Sequence, residues 1–284
     1  MEGRVLAGHR ALITGASSGI GAATARGLAA RGADLVLAAR RRDRLDVLAG
    51  ELRAEHGATV EVIEIDLSRP GSADALWHAT GGTIDILVNN AGFGSMRPFG
   101  EVEIERERAM LQLNVMTLVE LTHLFVAARR AAHPPSGRRS HILNVSSIAA
   151  WQALPWFATY AASKSFVRDF SEALYYELRP YGISVTCLCP GGTRTEFHDV
   201  AGSGQYGRIA NASMLSAERV AEIGVRAMLR GRKTVVSGVL NKIACFLTAR
   251  SPRGLATRSA VLVMGGPRRG ALPPGSPEEP KTTP

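Results

Sequence analysis

The chain has 284 residues, three cysteines and a net charge of +9 at pH 7, a length that α/β folds routinely reach as one domain with an ample core. Its apolar runs are broken by Arg or Gly well before the roughly 18 to 20 residues needed to cross a bilayer, and residues 1 to 10 lack the pattern of a signal peptide. Cys187 and Cys189 share one face of an apolar run and Cys245 stands apart, without Cys-x-x-Cys metal spacing, so the sequence predicts no metal site and a reducing, cytoplasmic compartment.

An apolar strand over Arg10 to Ile13 runs into Thr14-Gly15-Ala16-Ser17-Ser18-Gly19-Ile20-Gly21, and an Ala-rich helix follows to about Arg31. In such a unit Gly15 permits the sharp turn, Gly19 lets the backbone approach a pyrophosphate, and Gly21 allows close packing of helix on strand. The free amides of the turn, from Ser17 and Ser18 to Ile20, then face the anion. The spacing is Gly-x-x-x-Gly-x-Gly rather than the commoner Gly-x-Gly-x-x-Gly, and alone it also suits a plain glycine-rich turn.

Strands over 34–39, 59–65 and 84–89 alternate with helices over 42–56 and 70–80, and the alternation runs on to residue 190. That rhythm predicts a single doubly wound, Rossmann-type α/β domain: a parallel sheet with helices on both faces and right-handed crossovers. The second strand ends in Ala39-Arg40-Arg41-Arg42. A free ribose 2′-hydroxyl requires a carboxylate there, whereas a 2′-phosphate requires a guanidinium and no acid. The expectation is therefore NADP(H) over NAD(H), with Arg40 on the phosphate and Arg41 and Arg42 a solvated helix start. Asp66, just before Leu67, closes the third strand where it can accept from an adenine amino group, although an Asp there is also an ordinary turn former.

Ile142 to Val145 forms a strand that ends at Ser146-Ser147, which puts a hydroxyl at the carboxyl edge where open α/β sheets hold ligands. Further on, Tyr160 and Lys164 are four apart. On a helix that spacing stacks them on one face, so the ammonium favours the ionised phenol and brings its titration nearer neutral pH. In isolation the pair is common on amphipathic helices.

In order and spacing, Thr14 to Gly21, Asn89-Asn90-Ala91-Gly92, Tyr160 to Lys164 and Pro190-Gly191 match TGxxxGIG, NNAG, YxxxK and PG motifs. Between about residues 8 and 240 the chain resembles a short-chain dehydrogenase/reductase, and its run from Asn90 to Phe99 resembles a poorly characterised bacterial branch of generalist oxidoreductases. The resemblance implies a catalytic set of Asn114, Ser147, Tyr160 and Lys164. Asn114, midway along a helix predicted over 101–132, would hold a water linking the lysine to solvent. Ser147 lies at the family's distance before the tyrosine, and Ser146 is structural. Cofactor contacts are implied at Asn90, Ala91 and Gly92, at Leu67, and in the loop Pro190-Gly191-Gly192-Thr193-Arg194-Thr195. There the Thr193 backbone and the Thr195 hydroxyl would hold the nicotinamide carboxamide. Gly192 and Thr193 depart from the bulky apolar pair usual in that loop.

The resemblance also implies a mobile cover over 196–215, including Phe197, Tyr206 and Met214, and a homodimer or homotetramer. Phe93, Trp151, Trp156 and Phe157 suit an aromatic substrate wall and equally a packed core. The expected activity is hydride transfer between NADP(H) and a hydrophobic ketone or secondary alcohol. The alternatives are an epimerase or dehydratase using the same Tyr/Lys pair, and a non-catalytic dinucleotide-binding sensor or scaffold.

Residues 1–238 are expected to form the catalytic domain, 239–264 a basic amphipathic extension and 265–284 a disordered tail rich in Pro and Gly. No acid occurs between Ile223 and Pro277, so residues 223–284 carry the whole net charge of +9 and the first 222 sum to zero. Two short helices, separated by Ser251-Pro252, suit either a membrane interface or docking on the sheet edge or a partner subunit. Nucleic acid is not expected as a partner, because the segment has almost no aromatic stacking residues beyond Phe246.

Overall fold

The computed structural model describes residues 4–132, 139–197 and 214–264. Its first half is built from β1 (Arg10–Thr14), α1 (Gly19–Ala29), β2 (Asp34–Ala39), α2 (Arg42–His56), β3 (Val60–Glu64), α3 (Ser72–Ala79) and β4 (Ile86–Asn89). Then come α4 (Ile104–Leu111), α5 (Thr117–Ala131), β5 (Ser140–Val145), α6 (Ala158–Glu177) and β6 (Ile183–Cys189). Two short strands, β7 (Thr193–Arg194) and β8 (Leu215–Ser216), precede α7 (Ala217–Leu229), β9 (Thr234–Val236), α8 (Val239–Arg250) and α9 (Arg253–Met264).

Seven strands pair in the order β3-β2-β1-β4-β5-β6-β9, all parallel. This is the doubly wound Rossmann-type sheet, and strand order reverses between β1 and β4, the crevice where such folds hold ligands. Burial on both faces explains the near-continuous apolar strands such as Leu35 to Ala39. Alternate residues serve opposite layers: Ala11 and Ile13 pack with Leu28, Leu45, Val225 and Met228 of α1, α2 and α7. Leu12 packs with Leu76 of α3 and with Leu121 and Phe125 of α5.

The helix expected over 101–132 differs in one respect. A 3-10 turn at Phe99–Glu101 precedes α4, and Gln112–Met116 forms one π-turn between α4 and α5. Within it the Thr117 amide reaches back five residues to the Gln112 carbonyl. The wide turn places the buried Asn114 side chain between backbone groups of Phe93, which accounts for a polar residue in an apolar stretch. The continuous helical run 104–131 is long and apolar enough to span a bilayer, yet here Met110, Leu118, Leu121 and Phe125 are buried in the protein core.

Residues 198–213 of the expected cover, Tyr206 included, and the tail 265–284 lie outside the described residues. The two ends of the cover are fixed side by side, because Thr193 and Arg194 pair with Leu215 and Ser216.

Candidate active site

The turn after β1 is shaped by two left-handed glycines, Gly15 (φ 68°) and Gly19 (φ 54°). A Cβ on Gly15 would meet Asn90 Nδ2 at 2.8 Å, and one on Gly21 would strike the Gly15 carbonyl and Asn90 Nδ2. The α1 N-terminus is thereby drawn tight against β1 and β4, with Ser17, Ser18 and Ile20 around its first turn. The Asn90 side chain itself donates to the Thr14 and Gly15 carbonyls at 2.9 and 3.2 Å, and the Thr14 hydroxyl accepts from the Asn90 and Ala91 amides. Asn90 thus acts as a brace for the turn, with Ala91 beside it.

Arg40 follows β2 directly and is exposed. Arg41 is the residue that sequence reasoning misassigned as a mere solvated helix start. Its guanidinium donates to Ser17 Oγ (3.2 Å) and Ser18 Oγ (2.9 Å) inside the glycine turn, and to Glu196 Oε2 at 2.7 Å. The available signal was the run of arginines at a strand end, where successive side chains point to opposite sides. Hydrogen bonds from Arg44 and Arg41 hold the Glu196 carboxyl down at about 2. Partial burial opposes ionisation of Asp66, but hydrogen bonds from Ser68 and the nearby Arg40 and Arg69 outweigh it and keep its carboxyl below the usual range. One of its oxygens accepts from both Ser68 N and Ser68 Oγ, and the Leu67 carbonyl is taken by Thr117. An open cavity of about 650 Å³ lined by Arg40, Arg42 and Val62 to Asp66 adjoins this end of the sheet, away from Tyr160.

At the carboxyl ends of β4 and β5 the other predicted residues converge. Asn114 Oδ1 accepts from the Phe93 amide at 3.1 Å, while Nδ2 donates to the Phe93 carbonyl and to Ser163 Oγ. The Ser163 hydroxyl donates in turn to the Tyr160 carbonyl at 2.7 Å. A Cβ on Gly92 would come within 2.9 Å of Asn114 Oδ1 and 3.3 Å of Lys164 Nζ, so only glycine leaves the amide and ammonium their space. Lys164 Nζ donates to the Val145 carbonyl at 2.9 Å, and Ser146 Oγ donates to the Lys164 carbonyl at 2.7 Å. This reciprocal pair locks α6 to the end of β5. Burial pulls the Lys164 ammonium down to about 8, against a weaker upward pull from Cys187 and Cys189.

The ammonium lies 5.7 Å from the centre of the Tyr160 ring. That ring stacks on Phe157 (4.2 Å between centroids) and is tilted against Phe197 at 5.4 Å. Together with Met110, Ala149, Phe93, Met96 and Leu154 they form one apolar cluster. Ser147 is half-buried at the start of the turn Ile148–Trp151, its Oγ accepting from the Ala149 amide. Trp151 instead lies under the Arg168 guanidinium at 4.9 Å, and Trp156 has a left-handed backbone, φ 61°.

Beyond β6, the Pro190 carbonyl accepts from the Ile148 amide at 2.9 Å, tying this loop to the serine turn. The Gly191 amide donates to Ser237 Oγ, and Asn241 fills the space a Cβ on Gly191 would need. Thr193 Oγ1 donates to the Gly191 carbonyl at 3.0 Å, and Thr195 sits against Gly19, its Cγ2 2.9 Å from where a Cβ would be. The glycine turn and the 190–195 loop therefore face each other across the crevice. Ser237 and Asn241, which support the loop, carried no sequence signal.

A left-handed glycine turn after β1, with a buried Tyr/Lys pair on α6 and a serine after β5, marks an oxidoreductase of hydroxyl and carbonyl groups that uses a pyridine nucleotide. A model of the short chain dehydrogenase family matches residues 9–205, and the chain belongs to that family. It is 37% identical to an uncharacterised oxidoreductase of Myxococcus xanthus over 195 residues, 66% of this chain and 72% of the relative. It is 32% identical to a 7β-hydroxysteroid dehydrogenase of Collinsella aerofaciens over 66% of this chain and 70% of that one.

Among solved structures, one from a study of 7β-hydroxysteroid dehydrogenase stereoselectivity superposes with a TM-score of 0.80 at 27% identity, covering 90% of this chain and 98% of the other. A short-chain dehydrogenase of Sphingobium yanoikuyae in complex with NADPH gives 0.74 at 30% identity, covering 86% and 97%. One of Burkholderia phymatum in complex with NAD gives 0.74 at 27%, covering 87% and 93%.

Proposed function

We propose that the protein transfers a hydride between NADP(H) and a bulky hydrophobic ketone or secondary alcohol. The observation that carries the reading is the position of Tyr160, beside buried Lys164 and enclosed by Phe157 and Phe197 in an apolar cluster. In this reading the Ser147 hydroxyl donates to the substrate oxygen as charge develops on it, and Tyr160 gives or takes the proton at that oxygen. Lys164 contributes the positive charge that favours the phenolate and binds the nicotinamide ribose, and Asn114 holds a proton-relaying water. Hydride transfer is the chemistry the nicotinamide supplies when bound.

The residues present suit that cofactor. Gly15, Gly19 and Gly21 draw the turn tight against Asn90 and Thr195, where the free amides of the α1 N-terminus suit a pyrophosphate; Arg41 bonds the turn's two serines, and the end of β2 is followed by Arg40 and no acid. Relatives and structures named for hydroxysteroid dehydrogenases support a bulky, apolar substrate. Outward-facing Leu111, Met116 and Phe166 on α4 to α6 support assembly into a homodimer or homotetramer, and three free thiols suit a reducing cytoplasm.

Tyr160→Phe tests the assignment. Turnover of a bulky ketone with NADPH should fall at least about 100-fold while NADPH affinity, read by fluorescence titration, stays nearly unchanged. Retention of more than about a tenth of wild-type kcat would remove the proton-transfer role from Tyr160.

A further inference from the structure

In α8 and α9 the usual amphipathic arrangement is reversed. The positions that dock on the domain are small or polar: Asn241, Cys245, Ala256 and Ala260 are buried, with α8 lying on the Ile148–Trp151 turn and Asn241 Nδ2 bonded to the Ser237 carbonyl. The bulky apolar residues face out. Val239, Leu240, Ile243, Phe246 and Leu247 of α8, with Leu255 of α9, are between 52 and 71% exposed. The first five recur at i, i+1, i+4, i+7 and i+8, one stripe covering roughly a third of the helix circumference opposite the docked face.

Charge selects the partner for this stripe. Lys242 and Arg250 on α8 and Arg253 and Arg258 on α9 are all exposed, and the chain carries no acid from Ile223 to Pro277. The Arg250 guanidinium lies 3.6 Å from the Phe246 ring centre, so a cation stacks directly on the one aromatic ring of the stripe. Pairing this face with the same face of a second copy would set these cations against one another with no acid on α8 or α9 to offset them. A nucleic acid would match the charge, but the stripe is aliphatic apart from one ring and offers no stacking platform. An anionic lipid surface satisfies both features, because aliphatic side chains enter the acyl boundary while lysine and arginine reach headgroups.

We propose that α8 and α9 seat the enzyme on anionic membranes, with Val239, Leu240, Ile243, Phe246 and Leu247 entering the interface and the surrounding basic residues on the headgroups. The inference is independent of which carbonyl compound is reduced. It also places the membrane next to the 190–195 loop, since Asn241 supports Gly191.

Full-chain protein is co-sedimented with vesicles of phosphatidylcholine, with or without about one-third phosphatidylglycerol, at about 50 and about 500 mM salt. Binding should require the anionic lipid and weaken at high salt. Each basic group removed near the leaflet should lower the partition coefficient about fivefold, so Lys242→Glu with Arg253→Glu should lower it at least about 25-fold. Ile243→Asp with Leu247→Asp should abolish sedimentation. Both pairs are exposed, and carbonyl reduction in solution, measured in parallel, reports that each variant is folded.

No sedimentation of the wild type at low salt would overturn the proposal. So would equal sedimentation of the Ile243/Leu247 variant, which would mean adsorption by charge alone. A fall in molecular mass by light scattering in that variant, without vesicle binding by the wild type, would give the face to a second copy.

Discussion

At the scale of residues, the proposed preference for NADP(H) rests on a few guanidinium and carboxylate groups at the ends of β2 and β7. Arg41 is held over the glycine turn by Ser17 and Ser18 and shared with Glu196, which also takes Arg44. In the proposed reading a 2′-phosphate competes with Glu196 for the Arg41 guanidinium and is joined by Arg40. NADPH should be preferred over NADH, and Ala39→Asp with Arg40→Ala should reverse the ratio of kcat/KM values. Arg41→Ala should weaken NADPH binding about 10- to 150-fold with little effect on NADH, as loss of a charge-assisted hydrogen bond costs about 1.5–3 kcal/mol. Equal kcat/KM for both cofactors in the wild type would return Arg40 to the surface and leave Arg41 as a brace of the turn. Arg40 was proposed from the sequence because no acid competes with it at the end of β2. The part played by Arg41 was not, since Ser17 and Glu196 are 24 and 155 residues from it.

At the scale of elements, the strand-turn-helix unit was legible almost residue for residue, because each glycine answers a local geometric demand. The demands differ in kind, which gives a test. Gly21 has no space for a methyl group: its Cβ would meet the Gly15 carbonyl and, at 2.6 Å, Asn90 Nδ2. Gly21→Ala should cost about 1–3 kcal/mol by overpacking and lower Tm by roughly 2–4 °C for each kcal/mol, with loss of NADPH binding as α1 moves off β1. Gly50, within α2, has nothing within 4 Å of its Cβ. Gly50→Ala should leave activity intact and stabilise by about 0.5–1 kcal/mol through helix propensity, so thermal melts of the two variants should move in opposite directions. The π-turn at Asn114 was invisible at this scale: helical periodicity predicts a regular helix there, and the amide is satisfied by the Phe93 backbone, 21 residues away, and by Ser163 Oγ, 49 residues away.

At the scale of the whole molecule, acid stability should depend on His141 in the middle of the sheet. Burial, with His9 and Arg139 nearby, pushes it down to about 4, and its Nδ1 lies 2.9 Å from Ser184 Oγ. The folded value is below the unfolded one, so the unfolded chain takes up the proton first. Stability present above pH 6.5 is lost as pH falls toward 4. By one-site linkage the loss reaches about 2 kcal/mol at pH 5. Denaturant midpoints at pH 7.5 and 5 should converge in His141→Gln relative to the wild type, and an unchanged pH dependence in the variant would assign acid sensitivity elsewhere.

The sequence by itself determined the order of strands and helices, the doubly wound sheet and the candidates Ser147, Tyr160 and Lys164, because periodicity, glycine geometry and short motifs are local properties of the chain. It also fixed the charge asymmetry, which is arithmetic. Tertiary structure alone decided that Phe157 and Phe197 enclose Tyr160, that Ser237 and Asn241 brace the 190–195 loop, and that the bulky stripe of α8 faces outward. Amphipathic spacing gives a helix two faces but does not say which one docks. Here the buried face is chosen by what fits against Gly191 and the Ile148–Trp151 turn, small and polar side chains, and the large apolar residues are left outside.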